Sequence, residues 1–248
     1  MNEFGTVLGL ALLPALGNFS GGVIAEFFLT SRRKLNQALH AAAGIVIAIV
    51  AVELMPGALE AASAWVIALA FALGGLAYIG LETVVKRMQE KGAKASGQTG
   101  MWMVYIAVAT DLFSDGLMIG AGSAVSSSLA LTLALGQVLA DVPEGFATIS
   151  NFKDKDVPRA KRLLLAASFA LPVLLAAMLA FFLLRGQGEA LKMGALVFTA
   201  GLLTVAAIED MISEAHEAAE DTRGSVLAFV GGFVLFTLVS AGLGGEAS

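Results

Sequence analysis

Four carboxylates stand inside long apolar runs of this sequence. Asp111 and Asp115 are spaced i, i+4, so a helix carries both on one face. Asp141 and Glu144, spaced i, i+3, share a face of the next run. A charge near the centre of a bilayer costs at least about 2.5–3.5 kcal/mol on insertion scales. Neither run contains a Lys or Arg to offset that cost, which leaves protons or metal cations as partners. Clusters of oxygen donors bind divalent cations. Pro143 lies between the second pair; it removes the N–H that the Leu139 carbonyl would accept, which predicts a kink and a free carbonyl at carboxylate level. Gly116 and Gly145 directly follow acids and allow close helix approach. The competing reading is that the acids are protonated and serve helix packing alone.

The elements that must position these groups follow from composition. Of 248 residues, 58% are apolar and 14% charged, against roughly 25% charged in an ordinary soluble domain. Apolar runs long enough to cross ~30 Å of hydrocarbon recur along the chain. They are placed at 5–29, 39–59, 61–85, 101–123, 128–150, 163–184, 190–212 and 224–244, giving an all-α membrane protein of eight transmembrane helices in a single domain, 1–248. Strand-like alternation is weak, which argues against a barrel. There is no cysteine, so disulfides, thiolate metal sites and cysteine nucleophiles are excluded. Residues 1–4 lack the basic start of a signal peptide, and the first run is read as a retained span.

Basic residues set the orientation. Arg32, Arg33 and Lys34 follow span 1. Lys86, Arg87, Lys91 and Lys94 follow span 3. Lys153, Lys155, Arg159, Lys161 and Arg162 follow span 5, and Arg223 follows span 7. Only Arg185 and Lys192, of 15 basic residues, fall on the other face. Positive loops stay in the cytoplasm, so both termini are expected outside.

An internal repeat is expected. Ala11–Leu16 (ALLPAL) answers Phe169–Leu174 (FALPVL), with Pro14 and Pro172 158 positions apart. Glu53-Leu54-Met55 answers Glu209-Asp210-Met211 at 156, and Ala70–Gly75 answers Ala228–Gly232 at 157. Spans 1–3 would repeat as 6–8 with opposite orientation, around a central pair that echoes itself at Ser114-Asp115-Gly116 and Pro143-Glu144-Gly145. Such a 3+2+3 inverted repeat is an architecture of secondary transporters.

Other polar residues carry less. Glu209 and Asp210, at the cytoplasmic end of span 7, are either an exit or an interfacial pair. Gln137 lies one turn from Asp141 and is either an entrance group or a packing residue. Glu26, Glu53 and Glu82 are read as interfacial acids near cytoplasmic ends. His40 and His216 are read as solvated or capping, and Glu214, Glu217, Glu220 and Asp221 as a solvated acidic loop.

The segments Asp111-Leu112-Phe113-Ser114-Asp115-Gly116 and Ala140-Asp141-Val142-Pro143-Glu144-Gly145 resemble the signature motifs of the ZIP (Zrt/Irt-like) divalent metal transporters, His-Asn-x-x-Asp/Glu-Gly and, in bacterial members, Gln-Asp-x-Pro-Glu-Gly. Asp210-Met211-Ile212-Ser213-Glu214 is similar to the family's Glu-Met-Ile-Pro-Glu. The resemblance implies an elevator in which spans 1, 4, 5 and 6 slide against 2, 3, 7 and 8. It implies that Asp115 and Glu144 bridge paired metal sites, that Asp111 takes a histidine's place, that Asp141 is a second-site ligand and that Asp210 lies on the transport path. Three departures stand out: Leu112 replaces the motif's asparagine, Ala140 replaces the first ligand of span 5, and span 6 offers no acid, with Ser168 its nearest polar group. An all-oxygen site favours harder cations such as Mn²⁺, Fe²⁺ or Mg²⁺ over Zn²⁺, and one site is expected more than a binuclear centre. The short basic segment 86–100 holds no histidine-rich metal-sensing loop.

These features predict a divalent metal (Zn, Mn or Fe type) transporter that imports into the cytoplasm, with Gln137, Glu209 and Asp210 along its path. The metal is the substrate; no organic cofactor, enzyme activity or nucleic-acid partner is expected. The expected setting is a bacterial cytoplasmic membrane, with the lipid bilayer as surroundings and a homodimer as the oligomer the resemblance implies. Competing readings are a non-transporting, metal-binding regulatory relative and an intramembrane aspartyl hydrolase, which would need two carboxylates sharing a proton.

Overall fold

The computed structural model describes residues 3–28, 31–93 and 99–244. Eight helices are long and apolar enough to cross a membrane: α1 (Glu3–Phe27), α2 (Arg32–Ala61), α3 (Ala64–Val84), α4 (Met101–Val125), α5 (Ser127–Asp154), α6 (Arg159–Leu184), α7 (Glu189–Ala218) and α8 (Arg223–Leu243). No strand occurs among the described residues. An all-helical backbone closes its hydrogen bonds within each segment, as hydrocarbon demands. Large apolar side chains such as Trp65, Leu76, Leu171 and Leu238 project outward, each more than 60% exposed. That surface is compatible with lipid.

Several helices extend further than their apolar runs. Arg32, Arg33 and Lys34 form the first turn of α2, Lys153 lies in the last turn of α5, and Lys86 and Arg87 continue the helix of α3, which runs to Ala93. The basic residues therefore cap helix ends more than they fill loops. Lys94 lies outside the described residues. α7 continues to Ala218, so Glu214, His216 and Glu217 are helical and only Glu220 and Asp221 belong to the connection. Glu53 lies in the second half of α2, toward the end opposite the basic residues, where it accepts a hydrogen bond from Ser240 Oγ at 2.6 Å. It does not lie at the basic end of its helix. Glu26 is paired with Arg162 and Arg159, its side chain only 3% exposed, so it is an ion-pair member more than a free interfacial charge.

Local chemistry sets the helix ends. Ser126 alone separates α4 from α5: its backbone is extended and its hydroxyl accepts from Leu129 N at 3.1 Å, an N-cap geometry. Ser31 caps α2 in the same way on Lys34 N. Pro172 cannot donate to the Ser168 carbonyl, and the helical ladder of α6 is interrupted at Phe169. Pro143 does not break α5, which runs as one helix through it; the expected kink is not a break in the ladder. Two π-helical stretches, Ile49–Leu54 in α2 and Ala207–Ile212 in α7, loosen those helices; such bulges concentrate at functional sites.

The most extensive helix pairings are α1 with α5, α4 with α6, α2 with α8 and α3 with α7. Glycine makes these approaches close. A Cβ on Gly145 would stand 1.8 Å from the Asn18 carbonyl oxygen, and one on Gly116 would stand 2.3 Å from that of Val173. Both are the expected contact glycines.

Candidate metal centre

At 1.5 Å per residue, Asp111 lies about 15 Å into α4 from Met101. Glu144 lies about 15 Å, and Asp141 about 20 Å, from the Asp154 end of α5. These starting points are all at the basic end of the helices, so the carboxylates meet near the middle of a ~30 Å span. Asp111, Asp141 and Glu144 each turn one oxygen toward a common point, these atoms lying within 4.8 Å of one another. All are buried, with residue exposures of 4%, 1% and 7%. Asp111 Oδ1 and both Asp141 oxygens have no hydrogen-bond partner. Among the described residues, no basic side chain forms an ion pair with the acids of this group.

The fourth acid is a neighbour of this group and not one of its three converging oxygens. Asp115 is fully buried and accepts a hydrogen bond from the Gln137 amide. It does not join the three-oxygen group. Gln137 is likewise buried and holds Asp115, so its place is beside that carboxylate and not at an open entrance. Ser168, the nearest polar group of span 6, pairs its hydroxyl with that of Tyr105 at 2.9 Å and donates to the Leu165 carbonyl.

Asn18 completes the site from α1. Its side chain is 1% exposed, and Nδ2 donates to Glu144 Oε2 at 3.0 Å while Oδ1 has no partner. The Gly145 contact seats the Asn18 backbone directly against α5. Its one sequence signal is a lone amide within an otherwise apolar and small-residue run, a group that must find a partner when buried.

A cavity of about 350 Å³ reaches Asp111 and Glu144 and is also lined by Glu209, Asp210, Glu214 and Glu217, near the basic end of α7. Asn151 joins it, donating to Glu214 Oε1 at 2.5 Å, and Tyr78 of α3 donates to Asp210. A neighbouring cavity of about 270 Å³ shares Asn151, Glu214 and Glu217. Glu214 is thus a half-buried lining group on a helix, not a solvated loop charge. Asp210 and Glu209 both face the cavity, Asp210 through a bonded carboxylate. Toward the opposite end, Met118, Ala121 and Leu133 of α4 and α5 are buried in a core with Ile49, Leu196 and Phe236.

His40 departs from its expected solvated role. It is 6% exposed and lies 3.4 Å from Asp221 through Nε2. His216 is exposed, as expected, and also contacts Asp221.

Chemically, three convergent carboxyl oxygens with an amide beside them make an oxygen-rich pocket. Two oxygens on opposite sides of one divalent ion stand about 4.0–4.4 Å apart, which the observed spacing accommodates. No protein-family model matches the chain, and no curated protein does.

Proposed function

We propose that this protein carries divalent metal cations across a membrane, as a ZIP-type transporter importing into the cytoplasm. The observation that carries the reading is the convergence of Asp111, Asp141 and Glu144, buried without basic partners midway along membrane-length helices. A dication supplies the missing charge. Oxygen ligands favour Mn²⁺, Fe²⁺ or Mg²⁺ more than a histidine-bearing site would. The three convergent oxygens favour a single ion, with Asp115 and Gln137 beside it on its outer side.

A 3+2+3 inverted repeat is supported by matching irregularities. The π-helical stretches of α2 and α7 begin at residues 49 and 207, an offset of 158, the same as between Pro14 and Pro172. The close contacts repeat too: Gly44 on the Phe229 carbonyl and Gly232 on that of Ala41 are answered by Gly201 on Phe71 and Gly74 on Phe198. The favoured helix pairs exchange under the same correspondence, and they divide into the α1, α4, α5, α6 and α2, α3, α7, α8 groups that an elevator needs. With the basic end in the cytoplasm of a bacterial inner membrane and both termini outside, the cavity of Glu209, Asp210, Glu214 and Glu217 would be the exit. The packed Met118–Leu133 side would be the closed outer gate.

The test is uptake into proteoliposomes of Mn²⁺, Fe²⁺, Zn²⁺, Cd²⁺ and Mg²⁺, with Asp141→Ala/Glu144→Ala as control. Flux that the control lacks is the expected result, with Mn²⁺ or Fe²⁺ ahead of Zn²⁺. Metal binding without flux of any ion would overturn transport and leave the regulatory reading.

A further inference from the structure

His40 on α2, His216 on α7 and Asp221 in the α7–α8 connection bring one ligand atom each within 4.8 Å of one another. Asp221 Oδ2 lies 2.8 Å from His216 Nε2 and 3.4 Å from His40 Nε2. Adjacent ligands around a tetrahedral Zn²⁺ with bonds of about 2.0–2.1 Å stand roughly 3.3–3.5 Å apart. The His40 edge already has that length.

The surroundings resemble the outer partners of a metal centre. His40 Nδ1 donates to the Asn36 carbonyl at 2.8 Å. A carbonyl can only accept, so Nδ1 carries a proton, and Nε2 is the ring atom turned toward Asp221. A backbone carbonyl on the far nitrogen is the usual device for orienting a ligating histidine. Nε2 and a carboxylate oxygen then face each other, a pair that a proton or a metal cation between them joins.

Asn36 fixes the other side. It is fully buried. Its Nδ2 lies 2.9 Å from Asp221 Oδ1 and also within hydrogen-bond distance of the Ala215 and Ala219 carbonyls, and its Oδ1 accepts from Ser225. One α2 side chain thus pins the end of α7, the connection and the start of α8. This leaves Asp221 Oδ2 for the two histidines.

We propose that His40, His216 and Asp221 form a separate site for one transition-metal dication of the Zn²⁺ class, at the helix end that carries the basic residues. Two imidazoles and a carboxylate suit Zn²⁺ and its neighbours, not Mg²⁺ or Ca²⁺. The exposed side of His216 and Asp221 leaves room for water as the fourth ligand. The site shares no side chain with Asp111, Asp141 and Glu144, and it stands whether or not the protein transports metal. A bound ion would tie the α7–α8 connection to α2.

The test is Co²⁺ titration of the purified full-length protein, read by the visible absorption of tetrahedral Co²⁺, followed by displacement with Zn²⁺. The wild type is expected to show one equivalent of tetrahedral bands that Zn²⁺ abolishes. Asp141→Ala/Glu144→Ala is expected to keep them. His216→Ala, at an exposed position, is expected to lose them and to weaken Zn²⁺ binding there by more than the roughly 10–100-fold that loss of an outer partner costs. Asp221→Asn, which keeps an oxygen for the Asn36 bond, is a second variant expected to lose them while melting like the wild type. Absence of the bands in the wild type, their survival in both site variants, or their loss in Asp141→Ala/Glu144→Ala would each overturn the assignment.

Discussion

Replacing Asn18 by Ala removes the amide that donates to Glu144 at 3.0 Å without adding volume. A hydrogen bond to a charged group contributes about 1.5–3 kcal/mol, and outer partners of metal ligands are worth about 10–100-fold in affinity. At 1.4 kcal/mol for each factor of ten, the second range is about 1.4–2.8 kcal/mol, so two independent routes agree. The backbone should stay in place, because the contact at Gly145 is made by the Asn18 carbonyl and not by its side chain. The expected result in proteoliposomes is a 10–100-fold rise in the KM for the transported metal, matched by a like loss in equilibrium binding and with unchanged protein yield. Asn18→Asp separates two roles of the amide. If Nδ2 is what counts, Asp replaces a donor with a like charge and binding falls at least as far as in Asn18→Ala. If the unpartnered Oδ1 is itself a ligand, Asp restores binding. An Asn18→Ala KM within twofold of the wild type would refute the placement of Asn18 in the site.

Two further predictions concern stability. Asp141→Ala removes a buried carboxyl whose two oxygens lack partners; an unsatisfied buried polar group costs about 1–3 kcal/mol. In metal-free detergent its Tm should rise, by about 2–4 °C for each kcal/mol recovered in a domain of this size, while metal no longer stabilises it; an unchanged or lower metal-free Tm would mean that the carboxyl already has a partner. Gly145→Ala should lower Tm by an amount corresponding to about 1–3 kcal/mol of overpacking, because its Cβ would meet the Asn18 carbonyl, whereas Gly231→Ala, with nothing within 4 Å of its Cβ, should leave Tm level or raise it. Equal effects at the two glycines would contradict the close α1–α5 packing.

The eight helices were legible because each apolar run is dense enough to be read from its own residues. Their ends were not. The run of α7 stops near residue 212, but its helix continues through Ser213–Ala218, where polarity no longer separates helix from loop. By polarity alone Glu214 reads as a solvated loop charge, whereas it lies on the helix. The same local reading found Asp111, Asp141 and Glu144, since a carboxylate in an apolar run is conspicuous whatever it packs against. It could not tell that one Asp115 oxygen would take a hydrogen bond from Gln137 on another helix. Nor could it see that His40, five residues into a polar helix start after Leu35, would be buried by the far end of α7.

What the sequence hides is pairing across helices, and the α1–α5 contact shows how much of the site depends on it. Gly145 lets α1 approach until the Asn18 carbonyl lies where a Cβ would be. That approach alone brings the Asn18 amide within 3.0 Å of Glu144, one residue before the glycine. Packing and ligand orientation are therefore one interaction, so Gly145→Ala should weaken metal binding as well as stability, although the glycine offers no ligand atom. In Asn18→Ala the two effects separate: the helices stay packed and only the ligand loses its orientation. Comparing binding in these two variants at equal folded fraction measures how far the backbone contact, apart from the amide, holds Glu144 in place.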